Sequence, residues 1–340
     1  MCSRLSASRQ KKKESEYWDL SRDISDIVDI NTQSDRCHDD TKGYVKMTAQ
    51  SVHNQLCMSK GYDKLNFVVR TINNVLNRLD YTLKKVRKSL PLKRIAETEL
   101  IFENIAEHRK ASSCGILQIS VDVKDKVRVG ALSREGYSRC KEAVESLDKD
   151  MYWETKLVPL GILEIKSGIS TVVVGNSQET SDFIVDGLEK WFELRKETIS
   201  EYHTIEIYLD NGPAVNSKRT QFINRIMEFA CITGLKIHLL YYPPYHSKYN
   251  PVERVWAAVE QYWNGTLLDS VQKTINTLKN VTWKAQNLNV IVIDKQYQTE
   301  VTLSPKEMQK RELLIIRKPT IEKWDVWIKP SFQMGGLFFS

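Results

Sequence analysis

Three carboxylates sit at the ends of apolar segments. Asp122 lies near the end of residues 116–123, Asp210 directly follows 205–209, and Glu253 belongs to Asn250-Pro251-Val252-Glu253. Each has a local explanation when taken alone. Asp210 runs into the turn sequence Asn211-Gly212-Pro213, where a carboxylate can cap its own backbone. Asn250 as N-cap, Pro251 in the first turn and an acid three residues after the cap form a helix start. Brought to one place, the three would repel one another unless cations lay between them. An oxygen-only donor set suits Mg²⁺ or Mn²⁺. Two such ions about 3.5–4 Å apart can activate an attacking oxygen and stabilise a departing one in phosphoryl transfer.

The elements around these acids alternate in period. Residues 116–123, 157–165 and 170–174 read as strands, 181–196 as a helix, 205–210 as a strand, 217–233 as a helix and 236–241 as a strand. A proline-rich turn then leads into a helix from Pro251, whose Val252, Val255, Trp256, Val259 and Trp263 form an apolar stripe. Phe183, Ile184, Leu188, Trp191, Phe192 and Leu194 are the expected core positions of the helix over 181–196. Three strands, helix, strand, helix, strand, helix is the element order of a ribonuclease-H-like α/β fold, a mixed sheet with flanking helices. In such open sheets functional groups gather beyond the strand ends. Further on, 290–293 and 298–303 read as strands and 313–316 as a buried segment. Trp283, Trp324 and Trp327 read as core residues and not as base-stacking platforms.

The basic excess is localised. The chain carries a formal +7, and residues 51–110 hold twelve Lys/Arg against six Asp/Glu. Lys84, Lys85, Arg87, Lys88, Lys93 and Arg94 fall in one stretch without an acid, a pattern that phosphate backbones reward through counterion release. Just before it, Val68, Ile72, Val75, Leu76 and Leu79 recur at helical spacing, with Arg70, Asn73, Asn74, Asn77 and Arg78 on the other face. Asn and Arg pair with adenine and guanine edges in a major groove. With residues 48–58 as a partner helix and Gly61 between them, this predicts a helix-turn-helix module whose second helix reads DNA. The expected organisation is a poorly ordered extension over 1–45, the DNA-binding module with its basic linker over 46–95, the catalytic domain over 96–265 and its C-terminal extension over 266–340. Asp80 stands where a glycine is expected to close the reader helix.

Composition excludes several classes. With 41% hydrophobic and 27% charged residues, the chain is neither disordered throughout nor fibrous. Its apolar runs fall far short of the ~18 residues of a membrane span. The polar N-terminus lacks the apolar core of a secretory signal. Six scattered cysteines without a CxxC pair suit reduced thiols in the cytoplasm, not a disulfide framework or zinc site.

Longer blocks carry a resemblance. Tyr208-Leu209-Asp210-Asn211-Gly212-Pro213 and the stretch Tyr242-Pro243-Pro244-Tyr245-His246-Ser247-Lys248-Tyr249-Asn250-Pro251-Val252-Glu253-Arg254-Val255-Trp256 resemble the DDE transposases of bacterial insertion sequences. The Pro-Pro-Tyr and Asn-Pro-x-Glu-x-x-Trp blocks are similar to those of the mariner-like superfamily. The segments 120–124, 175–183 and 263–265 are similar to its ISAzo-thirteen-like branch. The resemblance spans about residues 60–330. It implies that Asp122, Asp210 and Glu253 are the catalytic and metal-holding acids; Asp125 fits the motif less well. It implies two Mg²⁺ ions, which Mn²⁺ can replace, and a transposase that binds its element's terminal inverted repeats, cleaves at the end and transfers the strand to target DNA. The implied partners are double-stranded DNA and a second copy of the chain on that DNA, with no membrane and no small-molecule substrate. The implied location is cytoplasmic, at the nucleoid when bound. Lys248 and His246 depart from the usual residues of mariner-like relatives. The unrelated look of residues 1–45 leaves a second reading, a catalytically inactive DNA-binding relic or repressor. A third, a hybrid- or junction-cleaving nuclease, would share fold and metals.

Overall fold

The computed structural model describes residues 19–30, 33–35, 39–44, 47–63, 68–84, 95–111, 114–148 and 152–330. The chain divides into two compact units, Met1–Ser89 and Leu90–Ser340.

The first unit holds α1 (Leu20–Ile30), the antiparallel pair β1 (Gln33–Asp35) and β2 (Asp39–Tyr44), α2 (Ala49–Ser59) and α3 (Val69–Arg78). Leu20, Ile24, Ile27 and Val28 of α1 pack with Val52 and Leu56 of α2 and Ile72, Val75 and Leu76 of α3. The helix over 20–30 lies within the stretch 1–45 expected to be poorly ordered; residues 1–18 of that stretch fall outside the described residues. The spacing 20, 24, 27, 28 is an amphipathic stripe, but it lasts only three turns and is easily lost among the acids around it. The first helix is pinned from outside its core as well. Tyr62 donates to Asp23 at 2.7 Å, Lys60 pairs with Asp23 at 3.0 Å and Tyr81 donates to Asp29 at 2.6 Å. Thr48 caps α2 by accepting from the Ser51 amide. Asp80 has φ +66° just beyond α3, the left-handed conformation in which a helix usually ends on glycine.

The second unit opens with α4 (Thr98–Lys110), followed by β3 (Ile116–Val123), β4 (Val127–Val129), β5 (Thr155–Glu164), β6 (Ser170–Gly175), α5 (Ser181–Arg195), β7 (Thr204–Leu209), α6 (Thr220–Thr233) and β8 (Lys236–Tyr241). A 3-10 turn at Ser247–Tyr249 leads into α7 (Glu253–Trp263) and α8 (Val271–Asn280). Then come β9 (Thr282–Trp283), β10 (Gln286–Asn287), β11 (Asn289–Ile293), α9 (Pro305–Glu312), β12 (Ile315–Arg317) and β13 (Asp325–Ile328). The main sheet runs β11-β6-β5-β3-β7-β8-β13-β12, with β4 paired to β5. β5 is antiparallel to both β3 and β6, whereas β3, β7 and β8 are parallel. This is a mixed α/β architecture with helices flanking a mixed sheet.

Strand alternation sorts the residues of β3 by face. Leu117, Ile119 and Val121 join the large core that also takes Phe183, Leu188 and Trp191 of α5 and Phe222 and Ile226 of α6. Gln118, Ser120 and Asp122 point the other way, where Val252, Val255, Trp256, Val259 and Trp263 of α7 pack with Leu157, Leu163, Val172 and Val174. The apolar stripe of the helix after Pro251 is therefore its docking face.

The C-terminal part extends both edges of the sheet, since β11 pairs with β6 and β13 with β8. Residues 290–293 lie within β11 as expected, but 298–303 form no strand and Glu300 sits at φ +63°. The segment 313–316 is not buried as a whole. Ile315 alone is covered, because β12 is a sheet edge. Leu194 of α5 is likewise exposed. Trp324 is buried, Trp283 packs on the α7 cluster, and Trp327 stacks at 3.8 Å on His238.

Candidate active site

Parallel pairing of β3 and β7 brings the first two acids together. Ser120 lies opposite Tyr208, so two residues further along each strand place Asp122 beside Asp210. The start of α7 is tied to the same spot. Ser120 donates to the Asn250 side chain at 2.5 Å, Asn250 donates to the Val121 carbonyl at 3.0 Å, and the Val252 amide donates to Ser120 at 2.9 Å. Asn250 is thus no N-cap: the helix begins at Glu253 after Val252, and the buried Asn250 side chain serves as a strap onto β3. The effect is to hold Glu253, the first helical residue, over the strand ends.

The electrostatics match this convergence. Asp122 is pushed up to about 8, first by burial and then by the charges of Glu253 and Asp210, although the Trp256 indole N–H donates to it at 2.9 Å. Burial also raises Asp210, against the Gly212 amide that donates to it at 3.1 Å. Glu253 is raised by burial and by Asp210, while Lys124 and the Ser247 hydroxyl pull it down. A fourth carboxylate, Glu179, is raised by burial and by the charges of Asp210 and Asp125. Four acids that repel one another need positive charge. Lys124 supplies some, but its ammonium is engaged with Glu260 at 2.6 Å. An all-oxygen donor set with unbalanced negative charge fits a hard divalent cation.

Glu179 escapes the sequence reading, although residues 175–183 carry part of the resemblance. The available signal is its position between β6 and Thr180, which caps α5 by accepting from the Phe183 amide. The indole N–H on Asp122 is equally hidden, because Trp256 reads only as part of an apolar stripe. Asp125 is exposed and lies outside the strand. His246 packs edge-on against Phe102 and stacks on Tyr249, and Lys248 lies 5.1 Å from the Tyr249 ring.

Gly161 lies opposite Asp122 on β5. A Cβ there would come within 2.5 Å of the Trp256 ring and 2.9 Å of Val252. Gly161→Ala is expected to destabilise the chain by about 1–3 kcal/mol through overpacking and to shift Trp256 off Asp122. Thermal unfolding and cleavage assays on the same preparation check both effects.

A second polar cluster lies along the same face of the sheet. His108 of α4, Glu206 of β7 and His238 of β8 offer atoms within 4.8 Å of one another, the one His/Cys/Asp/Glu group of this kind among the described residues. Burial favours a protonated Glu206, but hydrogen bonds from His108, His238 and Gln118 hold it down at about 2. His238 also bonds Asp325 at 2.8 Å, and Asn104 and Lys318 complete the set. These groups satisfy one another and pin α4 to β7, β8 and β13.

Of the residues read as DNA-binding, Arg70, Asn73, Asn74, Asn77 and Arg78 all lie on the exposed side of α3, opposite its buried Ile72, Val75 and Leu76. Lys84 is exposed and lies 3.7 Å from Asp80. Lys85, Arg87, Lys88, Lys93 and Arg94 fall outside the described residues.

Over residues 23–330 the chain matches the family described as the Rhodopirellula transposase DDE domain, and it belongs to that family of DDE transposases. Transposition and DNA recombination are the activities of that class. No curated protein matches the chain. Among solved structures, it is similar to the Mos1 transposase paired-end complex with the left transposon end at TM-score 0.44 and 12% identity, covering 82% of this chain and 74% of that one. The Mos1 mariner paired-end complex with Mn gives 0.43 at the same identity and coverage. The HTLV-2 integrase catalytic core domain in complex with magnesium gives 0.30 and 18% identity, covering 52% of this chain and 94% of that one. No helix among the described residues is long and apolar enough to cross a membrane.

Proposed function

We propose that this chain binds the terminal inverted repeats of an insertion sequence and performs metal-dependent DNA strand cleavage and strand transfer, acting as a homodimer on DNA. The observation that carries this reading is the convergence of Asp122, Asp210 and Glu253 in a chain of the DDE transposase family, all three raised by burial and Asp122 and Glu253 also by neighbouring acids of the set. The catalytic unit is read as ribonuclease-H-like, and α2 with α3 as a helix-turn-helix.

In the proposed reaction a water oxygen bonds to the phosphorus at the element's end and the bond to the 3′-oxygen breaks. The attacking water gives up a proton and the departing oxygen gains one. The freed 3′-hydroxyl then loses its proton and its oxygen bonds to a phosphorus of target DNA, while that phosphorus's bond to its own 3′-oxygen breaks and the departing oxygen gains a proton. Asp122, Asp210 and Glu253 would hold two Mg²⁺ or Mn²⁺ ions, which when bound supply Lewis-acid activation of the attacking oxygen and neutralise charge on the departing one. The chain's own part is positioning. Trp256 orients the Asp122 carboxylate, the Gly212 amide orients Asp210, and the Asn250 strap fixes the start of α7. Alanine at Asp210 should abolish metal-dependent nicking of a duplex carrying the element's ends; nicking that survives would overturn the assignment.

The exposed side of α3 would enter the major groove, with Arg70, Asn73, Asn74, Asn77 and Arg78 facing DNA. Lys84, Lys85, Arg87, Lys88, Lys93 and Arg94 would follow its backbone. Asn73→Ala should weaken binding to the cognate end by about 1–3 kcal/mol while leaving nonspecific binding unchanged. Competition binding between cognate and scrambled duplexes reads that difference.

A further inference from the structure

Two buried carboxylates and two imidazoles meet between α4 and the strands β7, β8 and β13. Glu206 and Asp325 are 2% and 1% exposed and His238 is fully buried. His108, in the last turn of α4, keeps a quarter of its side chain in solvent. Glu206 Oε2 accepts from Gln118 at 2.9 Å and from the Tyr208 hydroxyl at 3.2 Å. Its Oε1 faces the Nδ1 atoms of both histidines, 2.9 Å from His108 and 3.4 Å from His238. The other nitrogen of His238, Nε2, lies 2.8 Å from Asp325, and the Trp327 ring stacked on it at 3.8 Å holds that orientation.

A neutral imidazole carries one N–H. With that proton on Nε2, where Asp325 accepts it, His238 turns a lone pair at Nδ1 towards a carboxylate oxygen. The two repel unless positive charge lies between them. A second proton on the ring supplies it in one way, and a metal ion bound to Nδ1 and Oε1 supplies it in another. The charge count favours the ion. Buried charges need partners, and Lys318 is one residue removed, donating to Asn104, which in turn donates to Asp325. Balancing both carboxylates with protons alone takes two imidazolium rings whose centroids lie 4.6 Å apart, where like charges disfavour one another. A divalent cation balances both with the histidines neutral.

The donor types and spacing suit zinc. Zn²⁺ binds imidazole nitrogen and carboxylate oxygen at about 2.0–2.2 Å, which sets tetrahedral ligands about 3.4 Å apart. The donor atoms of the three residues all lie within 4.8 Å of one another. Asp325 behind His238, and Gln118 and Tyr208 behind Glu206, are the outer partners that orient metal ligands and fix a tautomer. Mg²⁺ and Mn²⁺ favour oxygen donors, so the two imidazoles set this cluster apart from Asp122, Asp210 and Glu253. It is separate in place as well, because Glu206 precedes Asp210 by four residues, roughly 13 Å at about 3.3 Å per residue.

We propose that this cluster is a zinc site, with His108 Nδ1, His238 Nδ1 and Glu206 Oε1 as ligands and a water in the fourth position. The ion fastens the end of α4 to β7 and β8. Binding takes up the Nδ1 lone pairs and releases any proton held there to solvent. The partly exposed His108 gives the ion its way in. Zinc binding here is independent of strand cleavage.

The full chain, stripped with chelator and dialysed against Zn²⁺ in excess Mg²⁺, should hold one zinc per chain by atomic emission and melt several degrees above its metal-free form. His108→Gln removes the most exposed ligand; it should hold no zinc, and its melting temperature should not move when zinc is added. The Asp210→Asn/Glu253→Gln pair, which strips charge from the carboxylate site, should keep its zinc. Co²⁺ in place of Zn²⁺ reads the donor set of the wild type without any substitution, and should give the visible absorption of a four-coordinate ion. No zinc on the wild type, equal zinc on His108→Gln, zinc lost with the carboxylate pair, or a six-coordinate cobalt spectrum would each overturn the assignment. One zinc per chain with the expected variant pattern, but no strand cleavage by the wild type, would uphold the zinc site and sink the catalytic reading.

Discussion

Replacing Glu253 with Gln should lower metal-dependent strand cleavage by on the order of 10³-fold, equivalent to about 4 kcal/mol of transition-state stabilisation, with end binding unchanged. The substitution preserves shape and removes one charge from a site whose acids already repel one another. The tie between α7 and β3 runs through Ser120, Asn250 and the Val252 amide, so the helix start stays in place. What would disappear is one of the three carboxylate charges proposed to hold the metal ions. Asp210→Asn should behave alike, since the Gly212 amide that orients its carboxylate can still donate to an amide oxygen. Single-turnover nicking in Mg²⁺ and in Mn²⁺, beside filter binding of the same duplex, separates chemistry from recognition. Cleavage within about tenfold of wild type in both metals would remove these residues from the reaction.

The second large effect is on stability without metal. Asp122 is raised to about 8 by burial and by Glu253 and Asp210, far above its value in an unfolded chain. Between those two values the folded state holds more protons than the unfolded one. Stability of the metal-free protein therefore falls as pH rises from about 4 towards 8, then levels off. Asp122→Asn removes the largest share of this dependence, leaving the smaller shares of Asp210, Glu253 and Glu179, and can still accept from the Trp256 indole N–H. At neutral pH, with chelator present, it should stabilise the protein by on the order of 2–4 kcal/mol, at about 1.4 kcal/mol per pKa unit. That corresponds to several degrees in Tm for a unit of this size. Saturating Mg²⁺ should reverse the ranking, because only the wild type would offer the ion all three of the carboxylates proposed to hold it. Melting curves against pH, with chelator and with Mg²⁺, check both signs; a wild type indifferent to pH and to Mg²⁺ would contradict the account.

Much of the site is legible in the sequence because strand ends and turns announce themselves locally. Asp122 follows a β-branched run, Asp210 precedes Asn211-Gly212-Pro213, and Glu253 follows Asn250-Pro251. Their convergence depends on the parallel register of β3 and β7, which element order suggests and no single segment encodes. What stays hidden depends on tertiary packing. Asn250 looks like a helix cap by type, but bonding to Ser120 and Val121 claims its side chain. Glu179 lies just outside a helix and gains meaning only beside Asp210. The ion network of His108, Glu206, His238 and Asp325 draws on one helix and three strands, and none of its members stands near another in sequence. The first helix hides because its stripe is short. Residues 298–303 resemble a strand by their β-branched content alone, and no strand of the sheet pairs with them.

The most direct test of the central claim is a Mg²⁺/Mn²⁺ nicking assay on a linear duplex carrying the ends of the element itself, with strand polarity and cut position read on a sequencing gel. The account predicts a metal-dependent nick at the element boundary that leaves a 3′-hydroxyl. Tight binding to the ends with no nick in either metal would contradict it and leave a protein that only binds DNA.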